Sequence, residues 1–384
     1  MKDFAQRALL PAGLRDILPP EAEIEARVVA RLMGTLAAHG YERVKPPLVE
    51  FEDSLLADSG ASMAPHTFRL MDPVSQRMMG LRADMTLQVA RIAATRLKAL
   101  PRPLRLSYAG QVLRVKGDDL RPERQFGQVG AELIGCDAAT ADAEAVLLAA
   151  AALTAVGAPD FTIDLSSPKL VPAVLAAHGM APAPKRLRDA LDRKDSAAVS
   201  ALAGGAGPTL TALLAAAGPA DQVLAAIGKL ALPADAAAEA KRLAEVVALV
   251  KAAMPDLRLS IDPVEMRGFE YHTGLCFTLF ARSVRGELGR GGRYMAGDAY
   301  SPEGGEAATG FTLFTDTVIR ALPDAAPERR LYVPFGTTPA ETARLRGDGW
   351  ITVAGLVAEG DVRAEAVRLR CTHLLKNGRP VEIG

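Results

Sequence analysis

The sequence predicts an α+β fold in which antiparallel strand pairs alternate with helices. Two strand-like segments, 104–115 and 124–135, are joined by a polar loop, which is typical of an antiparallel pair. Helical segments flank this pair on both sides. In addition, no GxGxxG motif follows a strand and opens a helix, and the sequence contains no GxxxxGK[ST]. The common phosphate-binding loops of parallel α/β folds are therefore not indicated.

The N-terminal part begins with a helix, predicted over 20–40 from the spacing of its apolar residues. The following segment, 41–51, is predicted to be a strand at a sheet edge or an interface, because Pro46 and Pro47 cannot donate hydrogen bonds to a ladder. A hairpin at 67–82 comes next. Further elements are predicted at 85–100 (helix), 138–156 (helix) and 161–167 (strand).

The central part, 168–255, is rich in Ala and Leu and poor in polar chemistry. We interpret it as a supporting helical insertion, because Ala favours helices. Strands are predicted to resume at 257–262 and 274–282. A Gly-rich turn is expected at 286–294, and a helix after Gly310.

The C-terminal part carries a βαβαβ pattern that is small for a doubly wound unit. Its expected strands are 329–335, 351–357 and 379–384. The helices between them are expected at 341–349 and 363–378.

Composition excludes several functional classes. Of the 384 residues, 45 are basic and 45 acidic, which gives no electrostatic reason to expect nucleic acid as the main partner. Cys136, Cys276 and Cys371 lie far apart, so we expect reduced thiols of a cytosolic protein and neither a metal site nor a cofactor. No secretory signal is expected. The most apolar run, 145–158, has 14 residues, fewer than the ~20 needed to cross a membrane.

The segment 261–277, IDPVEMRGFEYHTGLCF, ends like a buried strand but carries Arg267, Tyr271 and His272 close together. Strands that only fill a core do not usually carry these residues. Since Arg267 and Tyr271 are four residues apart, both can point to one face of a strand. A polar ligand is therefore indicated.

Two other segments carry polar residues that could face the same site. Asp84 and Thr86 open a predicted helix, where Asp84 could equally serve as a helix cap. Gln128 and Glu132 share one face of a predicted strand, and Arg114 lies on the strand that precedes it. A solvated sheet face is the alternative interpretation of this second group.

Together these residues suit a zwitterionic amino acid. The carboxylates of Asp84 and Glu132 can hold an ammonium group and a ring N–H. The guanidinium of Arg267 can hold a carboxylate, Gln128 adds an amide, and Tyr271 offers an aromatic wall for an imidazole-sized side chain. No Ser or Cys has an evident partner for nucleophilic catalysis.

The chain also resembles the catalytic core of the class II histidyl-tRNA synthetases over residues 8 to about 322. The resemblance implies an antiparallel sheet of six or seven strands flanked by helices, and a homodimer. It is carried by LLPAGLRD (9–16), GYERVKPPLVE (40–50), VLRVKGDDLRPERQFGQVGAELIG (112–135), MRGFEYHTG (266–274) and GRGGRY followed by ATGFTLFTDTVIR (308–320).

The departures from that family concern ATP more than the amino acid. Lys116 stands where the synthetases have a glutamate that touches ATP. The Gly-x-Glu-Arg that ends their third motif is replaced by Phe, Thr, Asp and Thr at 314–317, which removes the arginine that clamps the phosphates. The amino-acid pocket changes less: Asp84 replaces Glu, and His272 replaces a frequent Tyr.

This combination is similar to the ATP phosphoribosyltransferase regulatory subunits, which are relatives of the synthetases. That resemblance implies no catalytic activity of the chain's own. It also implies a homodimer within a hetero-oligomer, such as a hetero-octamer, with the short-form catalytic subunit, and free histidine as effector. The implied effector site comprises Asp84, Thr86, Arg114, Gln128, Glu132, Arg267, Tyr271 and His272.

The implied domain organisation has three parts. A synthetase-like core is formed by 1–167 and 256–325, with the helical insertion at 168–255 and a reduced α/β segment at 326–384. Two other functions remain open at this point. One is an active enzyme that activates an amino acid, and the other is a paralogue that binds RNA or a different partner.

Overall fold

The structure is a computed structural model, and it describes residues 9–57, 63–117, 121–266, 272–300, 304–324 and 328–383. The chain divides into two compact units, Met1–Pro323 and Asp324–Gly384. The segment 168–255 lies within the first unit. Among the described residues, no helix combines the length and the apolar character needed to cross a membrane.

The first unit combines helices with strands, and a run of helices lies between β7 and β9. The helices in its described part are α1 (Glu21–Ala38), α2 (Glu52–Leu55), α3 (Thr86–Thr95), α4 (Ala139–Ala155), α5 (Leu170–Ala177), α6 (Lys185–Asp192), α7 (Ser196–Leu202), α8 (Gly207–Ala215), α9 (Ala220–Ile227), α10 (Ala234–Ala253) and α11 (Thr315–Ala321). The strands there are β1 (Glu42–Arg43), β2 (Val49–Phe51), β3 (Arg69–Met71), β4 (Met78–Leu81), β5 (Leu104–Leu113), β6 (Gln125–Ile134), β7 (Phe161–Ser166), β8 (Gly218–Pro219), β9 (Leu259–Ile261), β10 (His272–Ala281), β11 (Glu287–Ala296) and β12 (Glu306–Phe314).

Within the described residues, the main sheet has nine strands in the order β1-β5-β6-β12-β11-β10-β7-β9-β8. Two pairs, β1–β5 and β7–β9, are parallel, and all the others are antiparallel. The expected number of strands, six or seven, was too low. The sheet is larger because β1, β9 and β8, with two or three residues each, extend its edges.

The two faces of the main sheet differ in character. On β6, Val129 and Ala131 point towards α1 and α4 and belong to the large hydrophobic core. Gln128 and Glu132 point to the opposite face, which α3 covers in part and which we call the polar face. The predicted sharing of one face by these two residues is therefore confirmed.

The segment 286–294 was wrongly predicted as a turn, because it forms most of β11. Gly291 and Gly292 make the segment look like a turn in the sequence, and the same two glycines allow it to form a strand in the structure. A Cβ at Gly291 would lie 2.5 Å from the Phe277 ring, and one at Gly292 would lie 2.6 Å from the ring of His272. These glycines sit in a central strand because its neighbours leave no room for side chains. The helix expected after Gly310 begins only at Thr315, because β12 continues to Phe314.

The segment 168–255, which the sequence analysis interprets as a helical insertion, contains a run of helices, α5 to α10. Its buried face consists mainly of aliphatic residues, among them Leu187, Leu210, Leu213 and Val246, which join the core beneath the main sheet. The short strand β8 within this run pairs with β9 and so adds a strand to the sheet edge.

In the C-terminal unit the described strands have the order β14-β13-β15-β16. The expected helix 363–378 is too long: it ends at Arg368, and His373–Lys376 is a strand. Asn377 and Gly378 have positive φ angles of 52° and 71° and connect this strand to the last one. Asn-Gly is the preferred sequence for such a two-residue hairpin turn. The elements are β13 (Arg330–Val333), α12 (Pro339–Gly347), β14 (Ile351–Ala354), α13 (Val362–Arg368), β15 (His373–Lys376) and β16 (Arg379–Glu382).

Candidate functional site

A polar cavity opens on the polar face above β6, β12 and β11. Glu132 lies opposite Gly310 in the strand register, and Gly310 lies opposite Gly292. Glycine at these two positions makes room for the Glu132 carboxyl, which a Cβ at Gly310 would meet, and for the His272 ring, which a Cβ at Gly292 would meet. The cavity is small and opens to solvent. Its polar and charged wall consists of Asp84, Thr86, Glu132, His272, Arg290, Tyr294 and Thr312.

Glu132 is held by two tyrosines at the bottom of this cavity. Tyr108 donates to its Oε1 at 3.1 Å, and Tyr294 donates to its Oε2 at 3.0 Å. The Tyr108 hydroxyl also lies 2.6 Å from Thr312 Oγ1 and 3.1 Å from Thr86 Oγ1. Residues from β5, β6, β11, β12 and α3 thus form one hydrogen-bond network, which fixes the Glu132 side chain.

Burial dominates the electrostatics of this network. Glu132 is 1 % exposed, and desolvation raises the pKa of its carboxyl to about 8, although both tyrosine hydrogen bonds lower it. Burial also raises the pKa of Tyr108 well above its ordinary value. At neutral pH, Glu132 is therefore largely protonated. A ligand N–H that approaches it would favour the ionised form.

Asp84 forms the second acidic position, at the start of α3. Its Oδ1 accepts from the backbone N–H of Thr86, the first residue of α3, at 2.9 Å, although the N-cap residue of this helix is Met85 and not Asp84. Its Oδ2 accepts from Gln128 Nε2 at 2.8 Å, and Gln128 Oε1 accepts from the Met85 N–H at 3.0 Å. The helix start and strand β6 therefore orient the Asp84 carboxylate together.

His272 and Arg290 lie on the β10–β11 side of the cavity. Burial, and then the charge of Arg290, lower the pKa of His272 to about 3, so its ring is neutral at physiological pH. The Arg290 side chain is one-third exposed (33 %). This side of the cavity therefore carries a positive charge from the guanidinium and none from the imidazole.

Of the eight residues expected in the effector site, the structure brings four into the cavity wall: Asp84, Thr86, Glu132 and His272. Gln128 lies behind Asp84 as its hydrogen-bond donor. Arg114 lies apart from the described cavity wall and places its guanidinium 5.0 Å from the centre of the Phe126 ring. The expected residues Arg267 and Tyr271 fall outside the described residues.

Sequence reasoning missed four residues of the site: Tyr108, Thr312, Arg290 and Tyr294. A signal existed for two of them, since Arg290 and Tyr294 differ by an even number and share one face of β11. The interpretation of 286–294 as a turn concealed it. For Tyr108 no local signal was available, because tyrosine is a common strand residue.

Beside the cavity, the same sheet face carries an arginine inserted between aromatic rings. The guanidinium carbon of Arg121 lies 3.8 Å from the centre of the Phe314 ring and 4.7 Å from that of Phe126. Arg121 is 6 % exposed and donates to Thr317 Oγ1 at 3.2 Å, and its Nε lies 3.6 Å from Asp316 Oδ2. We call these five residues the arginine slot. Their packing leaves the slot filled by the chain itself.

Comparison with known proteins agrees with this architecture. The family model described as "Histidyl-tRNA synthetase" matches residues 13–318. A solved structure from Bacillus halodurans, titled an ATP phosphoribosyltransferase regulatory subunit/histidyl-tRNA synthetase, has a TM-score of 0.80 with 24% sequence identity, covering 94% of this chain and 96% of that one. At that identity the likeness shows the fold, and it confirms the predicted class II synthetase-like α+β architecture.

Sequence relatives are more specific. A protein of Rhodospirillum centenum is 62% identical over 98% of this chain and 96% of its own length. One of Paramagnetospirillum magneticum is 59% identical over 100% of both chains. Both are called "ATP phosphoribosyltransferase regulatory subunit". The chain therefore belongs to the family of ATP phosphoribosyltransferase regulatory subunits, which shares the histidyl-tRNA synthetase fold.

Proposed function

We propose that this chain is a non-catalytic subunit that activates short-form ATP phosphoribosyltransferase and carries its feedback inhibition by free histidine. Family membership supports the regulatory role. The observation that carries the choice of effector is the polar cavity, because Asp84 and Glu132 lie in its wall, where a small zwitterion with a ring N–H can meet both.

In this proposal each acidic position has its own task. Asp84, held by Gln128 and the start of α3, binds the ammonium group of histidine. Glu132, held by Tyr108 and Tyr294, binds a ring N–H of the imidazole. Because Tyr108 and Tyr294 fix the carboxyl before the ligand arrives, little side-chain entropy is lost on binding.

The absence of catalytic activity is proposed from the arginine slot. The arginine expected of an active synthetase at 317 is a threonine, and its hydroxyl is occupied by Arg121. Phe314 replaces a glycine and is covered by the same guanidinium. A nucleotide would have to displace a buried arginine that contacts Asp316 and two aromatic rings. Loss of one charge-stabilising contact to a reacting phosphate already costs about 10²–10³-fold in rate.

Regulation requires that histidine bind one arrangement of the complex better than the other. A coupling free energy of about 1–3 kcal/mol between effector and catalytic sites suffices for useful feedback. The expected partner is the short-form catalytic subunit, in a hetero-oligomer built on a homodimer of this chain.

The direct test is a phosphoribosyltransferase assay of the chain mixed with the short-form catalytic subunit, with and without histidine. We expect activation by the chain, inhibition by histidine, and an inhibitory concentration that rises about 10–100-fold in Asp84→Asn while assembly is unchanged. Asp53→Asn is the matched control, since that carboxylate is 88 % exposed and distant in sequence from the cavity wall. It should behave as the wild type.

Two results would contradict the proposal. If the chain fails to activate the catalytic subunit, the regulatory role is wrong. If histidine inhibits Asp84→Asn and wild type equally, the effector does not bind in this cavity. The alternative function, an amino-acid-activating enzyme, is tested by measuring pyrophosphate exchange with ATP and histidine. We expect no exchange. Robust exchange by the chain alone would establish the enzyme.

A further inference from the structure

The C-terminal unit contains a sheet edge whose backbone groups point away from the sheet. Strand β14 comes first in the order β14-β13-β15-β16, and among the described residues it pairs with β13 alone. The N–H groups of Ile351 and Gly355 donate towards β13, to carbonyls at 3.1 Å and 2.8 Å. Because N–H groups alternate between the two sides of a strand, those of Thr352 and Ala354 point the other way. The edge therefore offers backbone donors and acceptors to a further strand.

The two edges of this sheet differ in sequence. The edge strand β16 carries Arg379, Pro380 and Glu382, and charged residues and proline are common means of preventing a further strand from pairing. The other edge strand, β14, has the sequence ITVA, with neither a charged residue nor a proline. Such an edge is typical of a surface that pairs with another strand.

Apolar side chains extend the β14 edge. Leu356 and Val357 follow the strand and are 85 % and 68 % exposed, and Ile351 within the strand is exposed as well. Phe335, whose backbone lies beside Gly355, is also exposed. Single exposed apolar residues are common, but four of them on and beside one sheet edge indicate a surface that another chain covers.

The start of β14 is basic. Arg329 lies there, since its carbonyl accepts from the first residue of the strand. Arg346 lies there too, and its Nε donates to Thr352 Oγ1 at 2.8 Å. The nearby acid Asp348 is paired with Arg344 at 2.9 Å. The two other arginines therefore give this end of the strand its charge.

The loop that follows β14 is acidic. Residues 355–361 include Glu359 and Asp361 and no basic residue. Glu359 accepts a hydrogen bond from the Tyr332 hydroxyl, and Asp361 accepts from two backbone N–H groups at the start of α13, at 3.0 Å each. Antiparallel pairing of two β14 strands brings the basic start of one beside the acidic end of the other. Parallel pairing places like charges together, so the charges favour the antiparallel arrangement.

We propose that β14 is an interface between two copies of this chain, in which the β14 strands pair antiparallel about a twofold axis. Such an interface is closed, because both copies use the same surface. A second copy offers an uncharged strand, apolar residues that contact Leu356 and Val357, and the opposite charge at each end. The surface lies in the C-terminal unit, so this inference goes beyond the proposed function and does not depend on the effector site. It adds a contact to those that the first unit makes in the proposed homodimer.

The test is the association of the full chain, measured by fluorescence-detected sedimentation velocity from nanomolar to micromolar concentration, for wild type and Ala354→Pro. Because the N–H of Ala354 points away from β13, proline removes an outward donor and keeps the pairing with β13. We expect the wild type to associate, and the dissociation constant of the variant to be about 10–100-fold higher. A wild type that stays monomeric, or a variant that associates as tightly as the wild type, would overturn the proposal.

A second pair of variants separates the edge from the general effect of a new charge. Ala354→Lys places a charge from each copy at the pairing edge, so it should weaken association to a similar extent. It serves as the folded variant should Ala354→Pro not fold. Val381→Lys is the matched control, since it adds the same charge at an exposed position of the other edge strand, β16. It should associate like the wild type.

Hydrogen exchange distinguishes a second copy from other occupants of the edge. The backbone N–H of Thr352 should exchange about tenfold or more slowly in the associated wild type than in Ala354→Lys. Rapid exchange of this N–H in the associated wild type would contradict the pairing. Protection that appears only after the catalytic subunit is added would show that β14 pairs with that subunit, and the assignment to a second copy would be wrong.

Discussion

The polar cavity and the arginine slot are neighbours on one face of one sheet, yet the chain keeps the first open and fills the second. On β12, Gly310 leaves space at the cavity, whereas Phe314, four residues along, carries a large ring into the slot. On β6, Glu132 faces the cavity and Phe126 faces the slot. The same two strands therefore line an open polar cavity and, beside it, a cluster that the chain's own side chains fill.

The contrast also concerns how polar groups are satisfied. In the slot, Arg121 finds protein partners in Thr317 and Asp316 and covers aromatic surface. In the cavity, buried Glu132 accepts hydrogen bonds from the hydroxyls of Tyr108 and Tyr294, and burial raises the pKa of its carboxyl. A filled site contributes to stability, whereas an open one holds a buried acid ready for a ligand at a cost in stability.

The largest expected effect comes from Glu132→Gln. A carboxyl whose pKa rises from 4.5 to about 8 on folding binds more protons in the folded state, so its contribution to stability is full below pH 4.5 and is lost as pH rises towards 8. The wild type should lose about 4 kcal/mol of this contribution between pH 5 and pH 9, and the glutamine variant should not. Urea unfolding at several pH values measures the difference.

Glu144→Gln is the control for that experiment, since hydrogen bonding to Arg105 lowers the pKa of Glu144 rather than raising it. This variant should retain the loss of stability at high pH. If Glu132→Gln and the wild type keep a constant difference in unfolding free energy from pH 5 to pH 9, the carboxyl is not the buried acid described above.

A second variant closes the cavity. In Gly310→Ala the new Cβ collides with the Glu132 carboxyl and with the carbonyl of Ala131. We expect histidine affinity to fall about 100-fold, because either the acid or the strand must move. Calorimetric titration measures it. Gly34→Ala is the matched control: its Cβ meets nothing within 4 Å in helix α1, and it should bind normally and be stabilised by up to about 1 kcal/mol.

Unchanged histidine affinity in Gly310→Ala, with a native circular-dichroism spectrum, would mean that the effector lies elsewhere. If Gly310→Ala unfolds at a lower temperature than the wild type, weak histidine binding could result from unfolding. Titration at a low temperature, where the variant is folded, then shows whether the folded variant itself binds histidine weakly.

The sequence predicted the structure correctly where the local pattern of residues determines the conformation. Gln128 and Glu132 were predicted to share a face because side chains alternate along a strand, and a glutamate between apolar neighbours is informative. The helices were predictable for a similar reason, since α1 and α4 follow apolar spacing and alanine content.

The failures occur where tertiary neighbours decide. Gly291 and Gly292 resemble a turn in sequence, but the Phe277 and His272 rings on the adjoining strand require glycine there. The position of Arg121 was not predictable, because nothing in a polar loop indicates which side chain will enter the sheet face. In the C-terminal unit, Asn377-Gly378 was a usable hairpin signal that the helical pattern before it concealed.

The smallest expected effect tests whether the two regions are independent. Arg121→Ala removes a buried cation–π contact and a hydrogen bond to Thr317, so the free energy of unfolding should fall by about 1–2 kcal/mol. Because the contacts of Arg121 lie in the slot and not in the cavity wall, histidine affinity should change less than about threefold. Arg121→Met, which still covers the Phe314 ring, should lose less stability than the alanine variant.

If Arg121→Ala weakens histidine binding as strongly as Gly310→Ala, the slot and the cavity form one coupled site. In that case histidine binding in the cavity would require a filled slot. The two regions would then differ in shape but would not act independently.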